Sequence, residues 1–222
     1  MPEDRHARWG AATGFAYLIL STIGFAAFIG PDLPDVSASA TDWQTYYTDH
    51  QDRIQAGIVL VSISVLFLFW FLGSLKAALR AAEGGNGRLT AVAYGGGLGV
   101  IVFFFLAMTA TAVAALRPAE VDPNLTRALN DFALLCAGPS AAAVAALFGA
   151  TAVVGYRHKA VPAPVAGFCA LAAVTAPLGF GVVATDAGAF AADGFLGFLV
   201  PLVTTLVAVL ALSIALFRQA PN

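Results

Sequence analysis

Apolar residues in this 222-residue chain are gathered into six stretches, 9–31, 54–75, 89–116, 132–156, 160–185 and 194–217, none of which contains Asp, Glu, Lys or Arg. Each exceeds the roughly 20 residues that a helix rising about 1.5 Å per residue needs to cross a hydrocarbon layer of about 30 Å. Runs such as Ile58-Val59-Leu60-Val61 and Val102-Phe103-Phe104-Phe105 lack the alternation of a barrel strand. In lipid, only a helix or a closed barrel pairs every backbone N–H and C=O. The pattern therefore predicts an all-α polytopic membrane protein, a six-transmembrane-helix bundle forming a single transmembrane domain over 1–222.

Between the first two stretches the polar positions recover a helical period. Trp43, Tyr46, Tyr47, His50 and Ile54 fall at offsets of 0, 3, 4, 7 and 11, on one helical face, with Ser39 or Thr41 placed to cap the segment. A short interfacial helix leading into the second span is expected, its aromatic stripe turned toward lipid headgroups or toward the bundle. Trp43, Tyr46 and Tyr47 are accordingly candidates for lipid or partner contact.

Composition agrees with this architecture. The chain is 59% apolar and only 11% charged, against about 25% charged in ordinary soluble domains. Charge also orients it. With the N-terminus inside, Arg5, Arg8, Lys76, Arg80, Arg88, Arg157, Lys159 and Arg218 are cytoplasmic, whereas Arg53, Arg117 and Arg127 are external. Short loops rich in Lys and Arg stay on the cytoplasmic side. Both termini are thus expected in the cytoplasm, with the chain in the cell membrane and the first stretch retained as a span. Ten of the thirteen acidic residues fall outside in this arrangement, giving a negative external face. No segment is basic enough to suggest nucleic acid.

Three stretches carry proline well inside their ends, at Pro139, Pro177 and Pro201, and Pro177 with Gly179 and Gly181 marks the outer half of the fifth span for distortion. Gly10/Gly14, Gly95/Gly99 and the Ala137/Ala141/Ala145/Gly149 ladder are small residues spaced for close helix approach. Cys136 and Cys169 fall at different depths in their spans and are expected as small buried hydrophobes, not a disulfide.

Reactive groups are sparse. His50, Asp131, Asp186 and Asp193 lie near outer helix ends and form the weak candidate set for acid, base or metal chemistry, although carboxylates there also suit helix N-termini. On the inner side Lys76 and Arg80 share a helical face and suit an anionic lipid headgroup, ahead of the turn at Gly84-Gly85-Asn86-Gly87. No Asp, Glu, Lys, Arg or His lies near the middle of a span, which counts against a proton-coupled transporter. The Gly95-Gly96-Gly97 run lacks the Lys of a phosphate loop, and no motif calls for a cofactor or a metal.

Tyr47-x-x-His50-x-x-Arg53, then Phe69, Gly73, Leu75, Leu79, Arg80, Ala82-Glu83-Gly84, Leu89, Gly95-Gly96-Gly97 and Leu129-Asn130-Asp131, together resemble the uncharacterised six-span integral membrane proteins of high-GC actinobacterial type. The resemblance implies a multi-pass cell-membrane protein and carries no catalytic residue. The leading expectation is a non-catalytic membrane component binding lipids, another membrane protein or a second copy of itself. The alternatives are an enzyme acting on an apolar lipid or isoprenoid at the outer face, and a facilitator for small apolar molecules.

Overall fold

The computed structural model describes residues 2–185 and 187–219, with side chains from residue 9 onward. Its elements are α1 (Pro2–Ile23), running into a π-helical end at Gly24–Ile29; α2 (Ala40–Asp49); α3 (Gln51–Glu83); α4 (Arg88–Leu116); α5 (Pro123–Leu135); α6 (Ala137–His158); α7 (Ala163–Thr175), tightening to a 3₁₀ helix at Ala176–Val183; and α8 (Val200–Gln219), preceded by a π turn at Phe195–Leu199. Among the described residues six helical units are long and apolar enough to cross a membrane: Trp9–Ile29, Gln51–Glu83, Arg88–Leu116, Pro123–His158, Ala163–Val183 and Phe195–Gln219. The chain is an all-α multi-pass membrane protein.

The spans form a closed ring in chain order. α1 packs on α3, α3 on α4, α4 on α6, α6 on α7, α7 on α8, and α8 returns to α1. Short connections make sequential neighbours antiparallel, and an even number of spans lets the last lie antiparallel to the first. Phe71, Leu72, Leu75, Phe148, Cys169, Ala208 and Leu212 fill the centre. Val59, Leu66, Trp70, Val102, Leu171 and Val174 face outward, as a lipid-solvated bundle allows. Polar groups inside the spans are tied to their own helices: Ser64, Thr151 and Ser213 donate to the carbonyls of Val61, Leu147 and Val209.

Small residues set the close approaches. A methyl added at Gly96 would lie 2.5 Å from the Leu147 nitrogen and 2.7 Å from the Ala143 oxygen, so α4 and α6 meet backbone to backbone there. Gly95, expected from spacing to share that role with Gly99, faces open space. Gly10 and Gly14 do seat neighbours, Ser74 on α3 and Ser213 on α8 respectively.

Proline sets the distortions. Pro139 removes a bond to Leu135 and crowds that turn, and the helical register breaks at Cys136, between α5 and α6. Pro177 stands at the α-to-3₁₀ change in the fifth span. These irregular ends pack on one another: Gly138 against Val183, and Gly179 against Ala141 and the Gly197 carbonyl. The Thr175 and Thr204 hydroxyls meet at 2.7 Å between α7 and α8. Cys136 and Cys169 are both free and buried.

Candidate functional site

The end of the bundle carrying loops 30–39, 117–122 and 184–194, hereafter the loop-rich end, is capped by α2 and α5 packed together. Ser39 opens α2 with a capping box: its hydroxyl accepts from the Asp42 amide while the Asp42 carboxylate accepts from the Ser39 amide at 3.0 Å. The Ser39 hydroxyl also donates to the Asp42 carboxylate at 2.7 Å, and this bond first, then that from the Ser39 amide, holds the Asp42 carboxyl below its ordinary pKa. With the register fixed, the stripe turns inward. Trp43, Tyr46 and Tyr47 are 1%, 4% and 2% exposed and form a cluster with Ile54, Ala114 and Ala115. Of the two orientations open to the stripe, it takes the one facing the bundle, so these rings are not presented to headgroups as a contact surface.

The polar tips of the stripe are spent inside the protein. The Tyr46 hydroxyl donates to the Ile29 carbonyl at the π-helical end of α1. The Tyr47 hydroxyl donates to Asn130 Oδ1 at 3.3 Å across the α2–α5 seam. Burial pushes the Tyr46 phenol up to about 12 and the Tyr47 phenol up as well. α5 thus buries Thr126 and Asn130, sets Leu129 against the aromatic cluster, and sends Leu125 and Phe132 outward. Three buried polar atoms in this seam lack a protein partner: Trp43 Nε1, Thr126 Oγ1 and Asn130 Nδ2.

Glutamines, which the reading of the sequence passed over, fasten the cap. Gln44 donates to Pro118 and Val121 carbonyls at 3.2 and 2.8 Å, Gln51 to Leu116 at 3.0 Å, and Gln55 to Ala115 at 2.9 Å. Gln51 and Gln55 satisfy carbonyls that the end of α4 leaves without helical partners, and Gln44 does the same for the loop that follows. Their spacing at 44, 51 and 55 follows the helical period of the aromatic stripe and was the available signal.

Asp32, an exposed residue also outside the sequence-derived set, gathers the charged groups. Arg53 Nη1 lies 3.0 Å from its carboxylate, Arg53 Nη2 donates to the Pro31 carbonyl at 2.6 Å, and His50 Nε2 lies 3.7 Å away.

His50, Asp131, Asp186 and Asp193 form the weak catalytic set. His50 faces Asp32. Asp131 lies 3.9 Å from Arg127, one turn back on α5; because α5 begins at Pro123, Asp131 is late in that helix, and its N-cap carboxylate is Asp122. Asp193 is exposed before the π turn of the last span. Asp186 lies outside the described residues. Among the described residues no group of three or more His, Cys, Asp or Glu side chains is placed to hold a metal ion.

At the opposite end, Arg80 bends back to donate to the Gly84 and Gly85 carbonyls at 2.6 and 2.7 Å. Glu83 accepts the Leu89 and Thr90 amides, each at 2.8 Å, capping α4. The Lys76 ammonium sits 4.3 Å over the Tyr94 ring. Lys76 and Arg80 are thus engaged by the protein itself, Arg80 as a helix cap.

A groove of about 490 Å³ opens on the lipid-facing flank beneath the cap, lined by Phe28, Asp52, Gln55, Ala56, Val59, Leu60 and Ile63. Phe28 comes from the π-helical end of α1 and the rest from successive turns of α3. The π turn arises where Gly24 meets Val61 and Gly57 meets Ile29, two glycines that let α1 and α3 touch at that depth. Asp52 and Gln55 form the groove's rim, and everything deeper is apolar.

No family model, no curated protein and no solved structure matches the chain.

Proposed function

We propose that this protein is a non-catalytic lipid-binding component of the cell membrane, with both termini cytoplasmic and the loop-rich end outside, and that the α1–α3 groove receives one acyl chain of an outer-leaflet lipid. The carrying observation is the groove's extent. From Asp52 to Ile63 is eleven residues of helix, about 16 Å, which is half of a hydrocarbon layer of about 30 Å. A groove that ends at mid-membrane fits a chain from one leaflet, whereas a partner helix would engage a seam running the full thickness. Its polarity follows the same gradient, with a carboxylate and an amide at headgroup level and Ala56, Val59, Leu60 and Ile63 below.

The test is labelling by a phospholipid carrying a photoreactive group at the middle of its acyl chain, in vesicles containing the purified chain. Adducts are expected to concentrate on 56–63 and on Phe28, over equally exposed positions such as Val102 on α4. Labelling spread evenly over all lipid-facing helices would contradict the proposal.

A further inference from the structure

The rim of the groove carries two acceptors, a carboxylate and an amide oxygen, and no cation of its own. Asp52 is exposed and carboxylate-bearing, and among the described residues it has no ion-pair partner. Gln55 commits one of its two amide N–H groups to the Ala115 carbonyl at 2.9 Å, and its side-chain oxygen is an available acceptor. Arg53, the adjacent cation, is committed to Asp32 and to the Pro31 carbonyl. Asp49, one turn before Asp52, adds a second exposed negative charge. A headgroup arriving above a chain in this groove meets a carboxylate and an amide oxygen in an acidic field, with the local guanidinium already occupied.

We infer that the groove selects phospholipids whose headgroup ends in a protonated primary amine, with Asp52 as the counter-ion and the Gln55 oxygen as a second acceptor. This rests on the reading of the groove as an acyl-chain site. An ammonium supplies three N–H donors and a positive charge, matching both rim groups. A quaternary ammonium brings the charge without donors. An anionic glycerol headgroup is repelled by Asp49 and Asp52.

Native mass spectrometry of the detergent-purified full chain, titrated with dioleoyl phosphatidylethanolamine, phosphatidylcholine or phosphatidylglycerol, separates the two layers of the claim because the chains are identical. The ethanolamine lipid is expected to bind about threefold more tightly than the glycerol lipid, in the range of a partly hydrated ion pair, with the choline lipid between. Asp52→Asn should narrow the spread, Asp49→Asn/Asp52→Asn should level the three, and Asp52→Glu should keep the order. Val59→Trp, which fills the groove from an exposed position, should weaken all three equally. If Val59→Trp weakens binding but the order survives undiminished in Asp49→Asn/Asp52→Asn, the amine selection is overturned and the groove stands. Should Val59→Trp change nothing, both fall. Equal or tighter binding of the glycerol lipid by the unaltered protein overturns the selection outright.

Discussion

Arg53 reaches back to hold Asp32 at 3.0 Å, and the backbone of Asp32 is left-handed, with a φ of 62°. Asp tolerates that conformation better than most residues, yet it is rarely adopted without support. The same guanidinium binds the Pro31 carbonyl at 2.6 Å, so one side chain fixes both the turn leaving the first span and the start of the second.

Removing that fork should loosen the first loop. Arg53→Ala is expected to cost about 1 kcal/mol, the scale of a partly exposed ion pair with one further hydrogen bond, read as a lower thermal midpoint in detergent. Faster hydrogen exchange should appear in 31–39. Arg53→Lys should restore little, because one ammonium cannot reproduce the two-pronged geometry.

Tyr47 and Asn130 should be energetically coupled. Tyr47→Phe leaves buried Asn130 Oδ1 unpaired and should cost about 1–3 kcal/mol. In Tyr47→Phe/Asn130→Leu the stranded groups are gone, and stability should exceed the sum of the single changes. Strict additivity in a double-mutant cycle would show that the seam does not depend on this bond.

Two adjacent glycines give a paired test of helix packing. Gly96→Ala must push α4 from α6 and should cost about 1–3 kcal/mol, whereas Gly95→Ala meets no atom within 4 Å and should be neutral or stabilising. Comparing their thermal midpoints checks which face of α4 meets α6.

Tyr46 gives the cap an alkaline limit. Its phenol is pushed from 10.0 to about 12, chiefly by burial, so the folded chain favours the protonated form more than the unfolded chain does. That contribution is complete below about pH 10 and is lost as pH rises toward 12. The absorbance difference between the protein and Tyr46→Phe should place this ionisation near 12; a value near 10 would mean the ring is solvated. At the acid end the sign reverses. Asp42, held below its ordinary value, supports the α2 cap at neutral pH and releases it as pH falls through that lowered value.

Much of the architecture was legible because membrane burial writes long, coarse signals. The six spans, the Ser39 cap, the single-faced stripe from Trp43 to Ile54 and the distortion at Pro177 all follow from local residue order. What the stripe packs against was not legible. α5 turns Thr126 and Asn130 inward beside Leu129 and sends Leu125 and Phe132 outward, so apolarity alone did not mark its buried face. Asp32 was passed over since its partners, His50 and Arg53, lie about twenty residues away, and sequence spacing carries no trace of a turn that brings them back. Gly95 and Gly96 are indistinguishable by composition; only the rotation of α4 decides which one meets α6.

The arrangement of groove, cap and acidic rim acts on the outer leaflet only if the loop-rich end faces out. In a background where buried Cys136 and Cys169 are replaced by Ala, single Asp49→Cys and Asn86→Cys variants can be treated with a membrane-impermeant maleimide on intact cells. Position 49 should label at once and position 86 only after permeabilisation. Labelling of both from the same side, or of position 86 alone in intact cells, would contradict the account.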